Sequence, residues 1–189
     1  LGLSQGAVSR ITSDLIYAGV IEETPMPSGK ASKLPKGFVQ KENTERRGRP
    51  QMGLRIIKNA RSFVGMKINA THISAVAVNA IGQIITGCHD LEIEDTSPQT
   101  VVTLIKQLTI DCSDEAEMAG WPKPCAVGIS LGGYVVDNAV VTFAPFMHWS
   151  QPVELSAMVR EATGLPTGIY NDIDSLVVDA CLFGSGVGL

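Results

Sequence analysis

Apolar residues recur at Val8, Ile11, Leu15 and Ile16, the three-and-four spacing of one helical face, while Gln5, Gly6, Ser9, Arg10 and Ser13 fall on the other. Ser4 stands where an N-cap hydroxyl accepts from a free N–H of the next turn, and Gly19 where a left-handed C′ residue closes a helix. Gly2 suits a tight turn with positive φ just ahead, with Leu3 as the plug behind it. The helix leads into a short strand, Val20-Ile21-Glu22-Glu23, for which Leu54-Arg55-Ile56-Ile57 can return as partner. Turn, helix and strand in this order predict the second half of a winged helix-turn-helix, its polar helix face turned to DNA. Standing alone, the same helix would read as an ordinary amphipathic surface helix.

Between the two strands, residues 24–53 carry Pro25, Pro27, Gly29, Pro35, Gly37, Gly48, Pro50 and Gly53 among Lys, Ser and Glu, without a helical or strand period. That texture predicts a wing or tether. From Ser62 the pattern changes. Phe63–Asn69, Ile73–Asn79 and Gln83–His89 are β-rich runs parted by short turns and predict an antiparallel meander. Pro98 opens a helix through Val101, Val102, Leu104, Ile105 and Leu108 to about Met118. Pro124–Ser130 reads as a buried strand, followed by the Gly132-Gly133 turn and a strand over Tyr134–Asp137. A helix over Val153–Thr163 ended by Gly164, a strand over Thr167–Asn171 and a helix over Asp172–Phe183 complete the order β-β-β-α-β-β-α-β-α. This is an α/β fold with a mixed sheet, not an all-β barrel. Two domains follow: residues 1–61, a partial winged helix-turn-helix with its basic wing or linker, and residues 62–189, an α/β lobe.

Charge separates the same two segments. Residues 1–61 hold eleven Lys/Arg against five acids, net +6, whereas residues 62–189 hold four against fourteen, net −10. The chain's overall −4 therefore conceals a basic head on an acidic body. A basic head suits phosphate contacts that release counterions, and a basic tail without a partner is the plainer alternative. Within it, Arg46-Arg47-Gly48-Arg49-Pro50 is a cationic knot, either a solvated turn or arginines for a narrow minor groove. Cys88, Cys112, Cys125 and Cys181 are widely spaced, with no Cys-x-x-Cys pair, which argues against a zinc knuckle or a disulfide framework within this chain. No run approaches the roughly 20 apolar residues of a membrane span, and no signal peptide is recognisable. A cytoplasmic protein is expected. The chain starts at Leu1 and stops at Gly186-Val187-Gly188-Leu189 in mid-pattern, so it reads as a fragment lacking a partner helix before Leu1.

Taken together, these residues resemble the ROK family of bacterial sugar-responsive repressors and sugar kinases. Leu3-Ser4 through Val20-Ile21-Glu22-Glu23 match the winged helix-turn-helix of its repressors, and Gly48-Arg49-Pro50 the arginine element after the wing. Gly128-Ile129-Ser130-Leu131-Gly132-Gly133 lies where Gly-Ile-Gly-x-Pro-Gly is expected, and Ala144-Pro145-Phe146-Met147-His148-Trp149 where Ala-Pro-Asn-Leu-x-x-Trp is usual. Gly164-Leu165-Pro166 leads to Asn171-Asp172, matching the sugar-binding Asn-Asp pair, and Phe183-Gly184 closes that segment. Six such elements in order make the resemblance strong. It implies an actin-like (ribonuclease H-like) lobe, an assembly of two or four copies, and a structural zinc cluster that would lie beyond Leu189, leaving no cofactor within this chain.

The departures carry as much weight. Kinases of the family begin the lobe with Gly-x-Asp-x-Gly-Gly-Thr, whose glycines admit nucleotide phosphates and whose Asp serves magnesium. Here the run is Gly65-Met66-Lys67-Ile68-Asn69-Ala70-Thr71: Lys67 replaces the acid, and Asn69 and Ala70 replace both glycines. The resemblance therefore implies a transcriptional repressor of carbohydrate-utilisation genes, not an enzyme. In that reading Gln5, Ser9, Arg10 and Ser13 meet DNA bases, with Arg10 the candidate for guanine, and Arg47 and Arg49 meet phosphates. Gly132, Gly133, Asn171 and Asp172 would hold a sugar or sugar phosphate. Asn171-Asp172 would equally serve as a helix N-cap with a dipole-stabilising acid, and both roles can hold together. Phe146 removes the usual asparagine's polar contact, and His148 and Trp149 supply either a stacking platform or packing at the lobe edge. The alternatives are a sugar kinase using ATP with Asp172 as base, and a DNA-binding scaffold answering to a phosphotransfer protein or to no ligand.

Overall fold

The computed structural model describes residues 4–25 and 52–182, so Gly2, Leu3, the arginine knot at 46–50 and Phe183-Gly184 lie outside the described residues. The described chain forms two compact units, one ending at Ile57 and the other starting at Lys58. In the first, α1 spans Gln5–Tyr17, and the Ser4 hydroxyl caps it by accepting from the Ala7 N–H. Its end is a Schellman closure. Gly19 adopts φ +66°, its N–H donates to Ile16 O, and the Val20 N–H donates to Leu15 O. The chain then enters β1 (Ile21–Pro25), which pairs antiparallel with β2 (Met52–Ile56) from Ile21↔Ile56 to Pro25↔Met52. Arg55 reaches across this ribbon to the Glu22 carboxylate, its Nε at 2.9 Å. No residue of α1 is buried, and its apolar stripe, led by Val8, remains open.

The second unit is built on a five-stranded mixed sheet in the order β5-β4-β3-β6-β9. β3 (Ser62–Ile68), β4 (His72–Asn79) and β5 (His89–Glu92) form the antiparallel meander, and β6 (Pro124–Leu131) and β9 (Thr167–Asn171) extend it in parallel beyond β3. Strict alternation buries Val64, Met66 and Ile68 of β3, Ile73, Ala75 and Ala77 of β4, and Val127, Ile129 and Leu131 of β6. Against them pack α2 (Pro98–Met118), through Val101, Ile105, Leu108 and Cys112, and α3 (Leu155–Thr163), through Leu155 and Val159. Burial pushes the Cys112 thiol up to about 11, with the charges of Asp111 and Glu115 adding to it, so it stays protonated at neutral pH. The final described helix, α4 (Asp172–Leu182), follows β9 directly. This mixed α/β arrangement is the expected actin-like lobe. Among the described residues no helix is long and apolar enough to cross a membrane.

Three local expectations need correction. The third strand of the meander is His89–Glu92, not Gln83–His89. Over residues 83–88 the backbone bonds go elsewhere: the Ala77 N–H donates to Thr86 Oγ1, the Gly87 N–H to Glu115, and only Ile84 bridges to Val78. A hairpin partner to β7 (Tyr134–Val136) was not foreseen: β8, Val140–Phe143. Finally, α3 begins at Leu155, because Val153 exchanges two backbone hydrogen bonds with Val141 instead of joining the helix.

Two carboxylates fasten α2 to its surroundings. Glu115 accepts from the Gly87 N–H at 2.8 Å and pairs with His89 Nε2 at 2.7 Å, and these bonds, the backbone one first, hold its pKa below the ordinary glutamate value. Asp95 accepts from the Ser97 and Thr100 hydroxyls and the Ser97 N–H before the helix start, which lowers its pKa likewise. A depressed carboxylate contributes stability that is complete above its unfolded pKa, about 4 for these groups, and is lost as pH falls through the lower folded value. Acid titration followed by circular dichroism is expected to show a melting temperature falling below about pH 4. Glu115→Gln should flatten that dependence.

Candidate functional site

The carboxyl ends of β6 and β9 are adjacent parallel strand ends, the place where α/β sheets gather ligand-binding groups. Beyond β6 the chain turns through Gly132 and Gly133. A Cβ on Gly133 would lie 2.5 Å from Phe143 O, closer than real side chains come, so the turn packs on β8 only as glycine. Beyond β9, Asn171 ties this turn down: its Nδ2 donates to Gly133 O at 2.7 Å. Its Oδ1 accepts from the N–H groups of Ile173 at 2.8 Å and Asp174 at 3.4 Å, capping α4. The Ser175 hydroxyl donates back to Asn171 O at 2.9 Å. Asn171 is thus the brace joining the two strand ends.

Asp172, partly buried in the first turn of α4, accepts from the Ile173 N–H through Oδ1 at 3.0 Å. Its Oδ2 takes part in no hydrogen bond or ion pair with the described residues and points toward Gly132, 3.6 Å from where a Cβ there would stand. From the other side the Phe146 ring approaches the same point at 3.5 Å. Gly132, Gly133, Asn171 and Asp172 are therefore gathered at one edge, and Phe146 joins them as a wall. The Tyr134 and Phe143 rings stack nearby on the β7–β8 hairpin, centroids 6.1 Å apart. Trp149 is not a platform: it is buried, and its indole N–H donates to Thr96 O at 2.7 Å. His148 is exposed and closes the 3₁₀ turn Pro145–Met147 in the left-handed region, φ 56°.

At the end of β3, Lys67 is exposed, and the turn into β4 is held by a side chain. Asn69 Oδ1 accepts from the N–H groups of Thr71 at 3.0 Å and His72 at 2.8 Å. The Thr71 and His72 amides thus have a partner from within the turn. On the open face of the sheet, Gly65, Gly128 and Gly168 stand in register on three neighbouring strands and floor two shallow depressions of about 390 and 430 Å³. Tyr170 lines both. Among the described residues no three His, Cys, Asp or Glu side chains come together to hold a metal ion.

In the first unit Gln5, Ser9, Arg10 and Ser13 are all exposed, and positions 5, 9 and 13 recur at the spacing of one helix face. Arg47 and Arg49 lie outside the described residues.

No family model matches the chain, and no curated protein does. Solved structures do. A ROK family transcriptional regulator, described as a homolog of the E. coli MLC protein, aligns with a TM-score of 0.69 at 21% identity over 96% of this chain and 41% of its own. A ROK family glucokinase from Streptomyces griseus, solved with glucose and AMPPNP, gives 0.57 at 30% identity over 67% of this chain and 38% of its own. For a ROK hexokinase from Thermus thermophilus the values are 0.55, 19%, 64% and 39%. The chain spans less than half the length of each.

Proposed function

The structural neighbours of this chain are ROK family proteins, and from that premise we propose that it is part of a DNA-binding transcriptional regulator. Its α/β lobe senses a sugar, and the regulator represses carbohydrate-utilisation genes. The Asn69 carboxamide carries this reading. Phosphoryl transfer depends on electrostatic cradling of the nucleotide, for which backbone N–H groups must be free. Here those of Thr71 and His72 are taken by Asn69, and Lys67 cannot ligate magnesium. Without a nucleotide, Asp172 is left to recognition, accepting hydroxyl hydrogen bonds. The regulator's coverage of this chain, moreover, is too broad to stop at the α/β unit.

In the first unit, Gln5, Ser9, Arg10 and Ser13 form the base-reading face, and Arg47 and Arg49 supply phosphate contacts. Two copies, as a dimer or half of a tetramer, would read half-sites about one helical turn or a multiple apart. Sugar shifts DNA binding only by its differential affinity for the two states of the lobe. Such a regulator works in the cytoplasm.

The test is a gel-shift titration of the full-length protein on fragments selected from genomic DNA, across a range of salt. Arg10→Ala is expected to weaken the selected site by about 1–3 kcal/mol and leave random DNA unaffected, whereas Arg49→Ala weakens both. Affinities unmoved by either substitution would remove the interface assignment. The second reading, a sugar kinase with Asp172 as base, draws on the free Asp172 Oδ2 and the glucokinase likeness. It requires ATP turnover with some sugar that disappears in Asp172→Asn, and none is expected.

A further inference from the structure

Phe146 is 64% exposed, although the residues around it are among the most firmly held in the lobe. Ala144 before it and Met147 and Trp149 after it are buried, and Ala144 and Trp149 exchange backbone hydrogen bonds at 3.1 Å in both directions. His148 completes the turn in the left-handed region, and the Trp149 indole is bound to Thr96. The phenyl ring is thus held in water by a rigid turn, not left there by a slack one. It faces the point over Gly132 that Asp172 Oδ2 also faces.

The charge at this point is one-sided. The first N–H groups of α4 after Asp172, at Ile173 and Asp174, are taken by Asn171 Oδ1 and Asp172 Oδ1. The point is faced by a carboxylate oxygen and an aromatic plane, with a second acid, Asp174, in the same helical turn. A complementary ligand has hydroxyl donors along one edge and an apolar face alongside them. A sugar ring has both. A phosphate has neither, and its charge opposes the two acids.

We infer that Phe146 is the specificity wall of the sugar site, stacking on the apolar face of an uncharged sugar ring whose hydroxyls donate to Asp172. This rests on the sugar-sensing reading above and narrows its ligand to an unphosphorylated sugar. Calorimetry of the full-length protein against glucose, mannose, N-acetylglucosamine and the 6-phosphate of each tests it. At least one free sugar is expected to bind, with its 6-phosphate at least about tenfold weaker. Phe146→Ala should weaken that sugar by about tenfold, and Phe146→Tyr should retain it. The melting temperature of Phe146→Ala should match the parent, since the ring is mostly in water. Unchanged affinity in Phe146→Ala, or a 6-phosphate that binds as well as the free sugar, overturns the inference and leaves sugar sensing standing. If the parent protein binds none of the panel, sugar sensing itself falls, and this inference with it.

Discussion

Gly133→Ala is expected to destabilise the lobe by roughly 1–3 kcal/mol and to abolish the proposed sugar binding at the same time. The added methyl would sit 2.5 Å from Phe143 O and 3.4 Å from Ala144 Cα, against backbone on β8 and at the entry to the Phe146 turn. Backbone cannot rotate aside as a side-chain tip can, so the Gly132-Gly133 turn must move. That movement strains the Asn171 bond to Gly133 O, through which the start of α4 and Asp172 are set. Gly132→Ala separates the two consequences. Its methyl would meet only ordinary contacts, 3.5 Å from Phe146 and 3.6 Å from Asp172, so stability should hold. It would nevertheless occupy the space the proposed ligand needs. Urea unfolding and calorimetry on the same preparations distinguish a loss of fold from a filled site.

Ile105→Ala should cost about 2–5 kcal/mol, the range for a large aliphatic side chain removed from a fixed cavity. Ile105 is fully buried in the middle of α2, where that helix lies against the sheet. Ile110, five residues along the same helix, is 44% exposed, and Ile110→Ala should stay within about 0.5 kcal/mol. The pair holds helix propensity and chemical change constant, so a difference in unfolding midpoint reports burial alone. Equal effects would mean that α2 does not bury the face assigned to it.

Much of this lobe could be read from the chain because its periodicities are clean. Alternation in β3, β4 and β6 buries every second residue, and Pro98 marks the start of α2. Ser4 and Gly19 likewise bracket α1. The third strand was misplaced because side chains replace backbone partners there. Thr86 and Glu115 intercept ladder bonds, and that cannot be seen in a run that otherwise looks like a strand. The β7–β8 hairpin did leave a signal: Asp137 and Asn138, both in the left-handed region at φ 52° and 53°, are residue types that tolerate a primed turn. In the candidate site, Asn171 and Asp172 were legible as a pair, but the bracing role of the amide was not. Its partner lies 38 residues away, and only the sheet brings them together. Phe146 was legible as a lost polar contact. That it adds a wall depends on the left-handed His148 and the anchored Trp149, which fix where the ring points.

The Asn69 carboxamide has a consequence for how such a lobe can change. The two amide protons it holds are also the ones that shape the β3–β4 hairpin, together with the Asn69 N–H donated to His72 O. Reverting that position to glycine would liberate the donors only by loosening the bend that aims them, since glycine brings no oxygen to replace the lost contacts. If the chain is the sensor proposed above, hairpin stability and regulation would both act to keep this residue. Transferase chemistry would, on the same reading, need a rebuilt bend and a new acid at Lys67 together. Under that reading the amide acts as a ratchet: Asn69→Gly alone would not reopen the route.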